Sequence, residues 1–374
     1  MAAPLMTPQR PATVAPPRVL VISGSVGAGH DGAARELAHR LAGAGAVAEV
    51  RDFLAAVPRP VARLLRDGYT RVVGYLPFAF ELLFRRLERQ GVLWQIEQHV
   101  CAVAENAVAR WIDEVRPDVV VSTYPLASQT LGSMRADGRV SAPVVTYLTD
   151  PAVHASWLHP AVDAHMTVTA ATARQGEAEY GMPFDVAGPL VPERFSRVPD
   201  LDELVTLRRD LELPMDRPVA LLVAGSLGLG DLLPTVEHVA AAGLTPLVLC
   251  GRNAALRRRL ARVPGAVALG WRTDVHRLTH VADVLVQNAG GLSFTEAYVA
   301  GLPAVTYRPI PGHGRANARV MDEAGLAPWA RTPDELAGLL QSRSLATRTP
   351  PVVDDPTDLV LAMVPARAVT ASAA

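Results

Sequence analysis

The sequence predicts an α/β protein in which two doubly wound, Rossmann-like domains face each other across a cleft. Three observations support this prediction: short aliphatic strands alternate with helical segments, a strand followed by a glycine-rich turn occurs twice, and the chain has 374 residues. That length exceeds what one hydrophobic core usually supports, so we expect two domains. Because parallel sheets bind ligands outside the carboxyl ends of their strands, the cleft is the expected site.

The first domain is predicted over residues 18–195. Its first strand, residues 19–22, is a continuous aliphatic run of the kind buried in a parallel sheet. A glycine-rich turn over residues 23–30 follows, and helical spacing of apolar residues continues from 31 to 42. Further strands are predicted at residues 46–50, 118–122, 144–148 and 164–168.

The second domain is predicted over residues 196–340, and the boundary lies in a segment rich in proline and charge at 191–200. A strand at residues 219–223 leads into the glycine-rich turn 224–230 and then into a helix. More strands are predicted at residues 247–251, 266–269, 284–286 and 304–307. Composition predicts a disordered tail at residues 1–17 and a weakly ordered tail at residues 341–374.

Composition excludes several classes of protein. The 36 basic residues are all arginine and face 37 acidic ones, so the net charge of −1 gives no chain-wide basic field for nucleic acid. Without lysine, phosphate must be bound by arginine, backbone N–H groups or helix termini. Two distant cysteines, Cys101 and Cys250, form no disulfide framework, which fits a reducing cytoplasm. No apolar run approaches the roughly 20 residues that a membrane-spanning helix needs.

The first glycine-rich turn contains a candidate catalytic base. His30 stands at the start of the predicted helix after Gly24, Gly27 and Gly29. A helix N-terminus lowers the pKa of an imidazole and so favours the neutral form that a general base needs. A histidine that caps the helix or packs in the core is the alternative. A nicotinamide-binding turn is weakly indicated, because the strict spacing of its glycines is absent.

The sharpest chemical signal begins at residue 287. Glycines open a helix after a buried strand, and the N–H groups of Gly291, Leu292 and Ser293 would be free to bind a phosphate. Glu296, one turn into the helix, is placed to accept hydrogen bonds from ribose hydroxyls, although an acidic residue in a first turn is also ordinary dipole compensation. The polar loop after the next strand adds further hydrogen-bond donors.

Residues 59–90 form a basic, apolar segment. Seven arginines against three acidic residues leave a local charge of +4. Apolar residues such as Tyr69 recur at helical spacing, and an aromatic-rich stretch that includes Phe80 follows. Such a segment suits a basic amphipathic element on an anionic membrane surface. A helix packed on the core with a solvated face is the alternative.

Six motifs in order make the sequence recognisable. They are Ser-x-Gly-x-Gly-His at 25–30, Thr149-Asp150 with His154 and Trp157, Gly188-Pro189, the glycines of 225–230, Gly290-Gly291 through Glu296-Ala297, and Pro311-Gly312 before Asn317. Over residues 19–335 the chain resembles the monogalactosyldiacylglycerol synthase and diacylglycerol glucosyltransferase family, which is related to the transferase that adds N-acetylglucosamine in lipid II synthesis. The resemblance implies a GT-B fold and an inverting, metal-independent transfer of a hexose from a UDP-sugar to a lipid hydroxyl, by default that of diacylglycerol.

The resemblance also assigns roles to individual positions. It implies that His30 acts as the base or orients the acceptor, and that Asp150 is a catalytic residue on the acceptor side. It places the acceptor and the membrane at Gly27, Gly29, Tyr69, Phe80, His154 and Trp157. It places the UDP-sugar at Gly225, Ser226, Gly228, Asn288, Gly290, Gly291, Leu292, Ser293, Glu296, Gly312, His313 and Asn317. The implied enzyme uses no cofactor or metal and is a peripheral protein on an anionic surface, at the inner face of the cell membrane; its oligomeric state is open.

Three departures from the family pattern keep alternatives open. Asn288 stands where the family commonly has lysine, His313-Gly314 where it has glutamine and an acid, and Tyr124-Pro125 where it often has His-Pro. These departures allow a non-catalytic UDP-sugar-binding protein. The same two-domain scaffold also allows a UDP-sugar 2-epimerase, and the arginine-only, alanine-rich composition allows a transferase whose acceptor is not a glycerolipid.

Overall fold

The computed structural model describes residues 15–68, 82, 91–223, 232–342 and 353–365, and its architecture is two parallel β-sheets with helices around them. This arrangement confirms the predicted α/β class. Some predictions lie outside the described residues. They concern Gly225, Ser226, Gly228, Tyr69, Phe80 and residues 1–14 of the predicted N-terminal tail.

The first sheet is built from strands in the N-terminal half of the chain. These are β1 Arg18–Ser23, β2 Val47–Asp52, β3 Val119–Ser122, β4 Val144–Tyr147, β5 Ala164–Thr167 and β6 Asp185–Val186. The described helices of this half are α1 Ala28–Gly43, α2 Arg59–Arg63, α3 Val92–Val115, α4 Pro125–Ala136 and α5 Ala170–Tyr180. The strands are all parallel in the order β2-β1-β3-β4-β5-β6.

The second sheet is built from strands in the C-terminal half. These are β7 Val219–Val223, β8 Thr245–Leu249, β9 Val267–Leu269, β10 Val284–Gln287, β11 Ala304–Tyr307 and β12 Trp329–Ala330. The described helices are α6 Leu201–Asp210, α7 Leu232–Ala241, α8 Ala254–Leu260, α9 Val275–Val281, α10 Gly291–Val299, α11 His313–Glu323 and α12 Pro333–Gln341. The order is β12-β11-β10-β7-β8-β9, and the predicted boundary at residues 195 and 196 falls between the two sheets.

Both faces of each sheet are buried, which explains why the strands read as continuous aliphatic runs. In β1, Leu20 and Ile22 pack into the core on one face, whereas Val19 and Val21 pack into the core on the other. Successive side chains of a strand point to opposite faces, so a strand buried on both sides shows no polar alternation.

The strand order reverses once in each sheet, and the two reversals face the same space. In the first sheet the reversal lies between β1 and β3, and in the second it lies between β7 and β10. Loops that leave adjacent strands in opposite directions open a crevice at the carboxyl ends of the strands. The helices that begin there meet across the cleft, because Gly32 of α1 lies against the Leu292 side chain of α10.

The prediction of a weakly ordered tail from residue 341 is wrong for residues 353–365. Asp355 accepts a backbone N–H and so caps a short helix, α13 Pro356–Ala362. Val360 of this helix is 1% exposed and packs into the core of the first domain beside β1. The proline, threonine and alanine content suggests disorder. The segment nevertheless contains a capping aspartate, a proline at the first helical position and an apolar helix face.

Candidate active site

A cavity of about 1370 Å³ lies between the two domains at the carboxyl ends of both sets of strands. Loops that follow β1 and β4 line it from the first domain, and loops that follow β8, β9, β10 and β11 line it from the second. Ligand pockets commonly measure about 300–1,000 Å³. The cavity is therefore larger than the usual pocket for one small ligand.

Three of the described helices begin at this cavity, each directly after a glycine. Gly27 precedes α1, Gly290 precedes α10 and Gly312 precedes α11, and residues in the first turn of each helix line the cavity. Gly27 and Gly312 have φ values of 96° and 74°, which other residues rarely adopt. A glycine offers no side-chain oxygen to cap the helix, so the positive ends of three helices favour an anionic ligand here.

His30 lies in the first turn of α1, which begins at Ala28, three residues before the predicted start. Its Nδ1 lies 2.8 Å from the carbonyl oxygen of Thr123 and 3.0 Å from Oγ1 of Thr149. Because a carbonyl only accepts, Nδ1 carries the proton of the neutral ring and Nε2 carries the lone pair. Burial lowers the pKa of His30, although the nearby carboxylate of Asp150 opposes the shift. A neutral ring with its lone pair on Nε2 is the form that a general base needs.

Asp150 holds a negative charge in the loop after β4. Burial alone would raise its pKa, but the contact from His154, with Nε2 3.6 Å from Oδ2, and the nearby His313 and His30 hold the pKa well below its usual range. The indole N–H of Trp157 also donates to Oδ2 at 3.1 Å. An ionised carboxylate near His30 stabilises the imidazolium that forms when the ring takes a proton.

The loop that carries Asp150 is held from within the first domain by Gln129 of α4. Gln129 is buried, and its Nε2 lies 2.6 to 3.3 Å from three carbonyl oxygens of residues 155–158. These hydrogen bonds fix the 3-10 turn that contains Trp157. Since Trp157 donates to Asp150, the buried amide also fixes the position of the carboxylate.

Glu296 of α10 contributes a carboxyl group to the cavity wall of the second domain. Burial raises the pKa of Glu296 to about 7, and the charge of Arg194 works against this shift. Hydrogen bonds from a ligand to the charged form would lower the pKa again. Hydroxyl donors that bind in the cavity would therefore shift this carboxyl group towards its charged form.

Trp271 is a cavity residue that the sequence analysis missed. It follows β9, it is 52% exposed, and the guanidinium of Arg252 lies 4.7 Å from the centre of its ring. A large exposed aromatic ring on a cavity wall offers a flat face on which a base can stack. The signal that could have found it is its position just after a strand that ends at the cleft.

Backbone strain marks the turns after β10 and β11. Ala289 and Arg308 have φ values of 67° and 49°, a region that residues other than glycine seldom occupy. Strain of this kind costs on the order of 1 kcal/mol and is typical of binding sites. Ala289 directly precedes Gly290, so the strained turn presents the N-terminus of α10 to the cavity.

The structure brings most of the predicted site residues together. Those that line the cavity are Gly27, Gly29, His30, Asp150, Asn288, Gly290, Gly291, Leu292, Ser293, Glu296 and His313. The other described ones lie outside the cavity lining. Gly312 directly precedes α11. His154 and Trp157, predicted on the acceptor side, contact Asp150, and Trp157 is fully buried. Asn317, predicted on the donor side, is also fully buried and joins the two domains.

The predicted membrane segment at 59–90 is described only in part. In that part, Val61 and Leu65 pack against the core of the first domain, so some of the expected membrane face belongs to the core. Just beyond the segment, Val92 and Ile96 of α3 are exposed. Among the described helices, none combines the length and the apolar character needed to span a bilayer.

Two facing Rossmann-like domains with a cavity at their strand ends define a GT-B fold, and solved structures confirm this class. The glycotransferase of kitacinnamycin superposes with a TM-score of 0.61 over 94% of this chain and 100% of that chain, at 16% identity. MurG of Acinetobacter baumannii gives a TM-score of 0.57 over 93% of this chain and 99% of that chain, at 17% identity.

Sequence comparison confirms the family resemblance. A family profile described as monogalactosyldiacylglycerol (MGDG) synthase matches residues 30–183. The processive diacylglycerol beta-glucosyltransferase of Bacillus mycoides is 27% identical over 229 residues, and the match spans 59% of this chain and 58% of that relative. The chain is thus similar to the MGDG synthase and diacylglycerol glucosyltransferase family over the matched part of its length.

Proposed function

We propose that the protein is an inverting, metal-independent glycosyltransferase that moves a hexose from a UDP-sugar to a lipid hydroxyl, with diacylglycerol as the acceptor. One observation carries the proposal: three glycine-preceded helix N-termini and the neutral imidazole of His30 border one interdomain cavity. Helix N-termini suit a diphosphate, and a neutral imidazole suits the proton of an acceptor hydroxyl.

The second domain is the proposed site of the donor. The uracil ring stacks on Trp271, the ribose hydroxyls donate to Glu296, and the diphosphate lies against the first N–H groups of α10. Because the chain contains no lysine, the helix N-termini compensate the charge that a lysine or a metal ion compensates in other transferases.

His30 is the proposed general base. Its Nε2 takes the proton of the acceptor hydroxyl while the hydroxyl oxygen attacks the anomeric carbon from the face opposite UDP, which inverts the configuration. The bond from the anomeric carbon to UDP breaks, and its electron pair leaves on the diphosphate beside the helix N-termini. Asp150 stabilises the imidazolium, and the Thr123 carbonyl keeps the Nδ1 proton in place. The ring returns its extra proton to water after the product leaves.

The first domain is the proposed membrane side. Val92 and Ile96 expose apolar surface on α3, and Arg59 and Arg63 of α2 are exposed as well. Exposed apolar side chains and arginines on one domain suit the surface of an anionic bilayer. The acceptor would then reach His30 from the bilayer, with the protein bound peripherally.

The direct test incubates the protein with UDP-hexoses, with and without anionic vesicles that contain diacylglycerol, in the presence and absence of EDTA. We expect UDP release that depends on vesicles and survives EDTA, and a hexosyl-diacylglycerol of inverted anomeric configuration by mass spectrometry and NMR. Conversion of the UDP-sugar without an acceptor would identify an epimerase. Binding of UDP without turnover would identify a non-catalytic protein. Either result contradicts the proposal.

The His30→Ala variant tests the base. We expect kcat to fall by about 10²- to 10⁴-fold, the usual contribution of a general base. The Kd for UDP should change little, because the imidazole lies in the first domain and the proposed UDP site lies in the second. His99→Ala, an exposed histidine of α3 outside the cavity lining, is the control. Equal loss of UDP binding and turnover in His30→Ala would refute the assignment.

A further inference from the structure

Asn317 of α11 reaches out of its own domain. It is fully buried, and its Oδ1 accepts the backbone N–H of Ala152 in the first domain at 2.9 Å. Its Nδ2 donates to the carbonyl oxygen of Ala289 at 3.1 Å and lies 3.4 Å from Oδ1 of Asp150. One side chain therefore contacts both the loop after β4 and the turn before α10.

The neighbours of this amide fix its orientation. A backbone N–H only donates, whereas a carbonyl oxygen or an ionised carboxylate only accepts, so the amide oxygen faces Ala152 and the nitrogen faces Ala289 and Asp150. The position requires a side chain that both accepts and donates. Asparagine does both, aspartate has no donor when ionised, and alanine has neither group.

The groups that Asn317 joins belong to opposite halves of the proposed reaction. Asp150 lies on the acceptor side with the base, whereas Ala289 belongs to the strained turn that presents α10 to the donor. The two halves also touch at Gly291, where an added Cβ would collide with the carbonyl oxygen of Thr149. This close approach brings Asp150 within reach of the amide.

We propose that Asn317 is a positioning residue that aligns Asp150 with His30 when the donor-side turn closes on the acceptor-side loop. It acts through Asp150 and contacts neither substrate. The effect on turnover rests on the proposed function, whereas the coupling between Asn317 and the Asp150–His30 pair can be measured without turnover.

The test compares Asn317→Ala and Asn317→Asp with the control Arg319→Ala. Arg319 lies on the same helix and also crosses between the domains, since its guanidinium is 3.7 Å from the exposed carboxylate of Glu179. Exposed ion pairs contribute little to stability. The control therefore removes an interdomain contact without touching Asp150, and we expect its kcat to match that of the wild type.

In turnover assays, we expect Asn317→Ala to keep a Kd for UDP close to that of the wild type and to lower kcat by about 10- to 100-fold, because a small misplacement of a catalytic group has an effect of this size. Asn317→Asp should be slower still at pH 8, since its carboxylate faces that of Asp150 and the carbonyl oxygen of Ala289.

The pH dependence separates positioning from a merely structural role. As the pH falls, the two carboxyl groups of Asn317→Asp share a proton and a donor returns, so the kcat ratio of Asn317→Asp to Asn317→Ala should rise. The other titratable groups around Asp150 are His30, His154 and His313, and they are the same in both variants. A ratio that stays constant with pH would overturn the proposal.

An NMR titration of the His30 ring supplies the readout without turnover. The Asp150 carboxylate raises the pKa of His30, so its displacement in Asn317→Ala should lower the measured pKa, and Arg319→Ala should not. A variant that loses only thermal stability, with an unchanged pKa of His30, would overturn the proposal. If the wild type transfers no sugar but the pKa moves as expected, the proposed function fails and the coupling stands.

Discussion

The two domains use the same strand–turn–helix unit for different chemistry. In the first domain, the turn after β1 leads into a helix whose first turn carries His30. In the second, the turn after β10 leads into Gly291 and Leu292, and the Leu292 side chain packs against Gly32 across the cleft. Both units present a helix N-terminus to the cavity, so the fold supplies the electrostatic field. In the proposed function, one residue in the first turn then decides whether the unit moves a proton or only binds charge.

The strongest way to break this arrangement is Gly291→Ala. An added Cβ would collide with the carbonyl oxygen of Thr149, so α10 and the loop after β4 can no longer approach as closely. We expect a loss of turnover of about 100-fold, as for other small misplacements of reacting groups, together with weaker UDP binding. Gly290→Ala is the matched comparison, because an added Cβ there meets no atom within 4 Å and φ is −75°. Equal losses in the two variants would contradict the close-contact explanation.

Trp271→Ala tests the donor side of the comparison. Removal of a stacking ring should weaken UDP binding by about 1–3 kcal/mol, measured by calorimetry, and Trp271→Phe should recover most of that affinity. The control is Trp329→Phe, since Trp329 also packs against an arginine, with the Arg331 guanidinium 3.5 Å from its ring centre, but does not line the cavity. An unchanged affinity for UDP in Trp271→Ala would show that the uracil ring does not stack on Trp271.

The raised pKa of Glu296 predicts that the affinity for a UDP-hexose depends on pH through the second domain alone. Burial raises its pKa to about 7, and ribose hydroxyls bind the charged form, so the affinity for a UDP-hexose should increase as the pH rises from 6 to 8, by about fivefold to tenfold. Glu296→Gln should show a flat profile over this range. Calorimetric titrations at several pH values check both expectations, and an affinity that falls with rising pH would refute the ribose contact.

The smallest expected effect concerns the stability of the first domain. His165 of β5 is buried, and burial lowers its pKa from 6.5 to about 4. The unfolded state binds the proton more tightly, so the free energy of unfolding should fall as the pH decreases from 6.5 towards 4, by about 2 kcal/mol at pH 5. Urea unfolding of the wild type and of His165→Leu at pH 7 and pH 5 checks this, and equal pH slopes would exclude His165 as the cause.

The fold class and the glycine-rich turns that line the cavity could be predicted because their signals are local. A buried parallel strand reads as an aliphatic run, and glycines mark the turn where a helix begins at the cleft. The roles of Trp157 and Asn317 could not be predicted in the same way. Spacing assigns each residue to the correct loop or helix, but the side of that element that faces the cavity depends on packing across the domain interface.

Contacts between residues that are distant in the chain also leave no local signal in the sequence. The groups that hold the imidazole of His30 are Thr123 and Thr149, which are 93 and 119 residues away in the chain. A backbone carbonyl such as that of Thr123 carries no side-chain signature. The strain at Ala289 has no sequence signal either, since alanine, unlike glycine or asparagine, does not indicate a turn with positive φ.

The return of α13 to the first domain has a consequence for biosynthesis. Val360 completes the core that surrounds β1, and Asp355 pairs with Arg40, whose guanidinium also donates to the linker carbonyl of Val191. A ribosome releases residue 360 only after all described strands of both sheets have emerged. The domain that is translated first is therefore the one whose core closes last, and the second domain can fold during translation while the first still awaits its final helix.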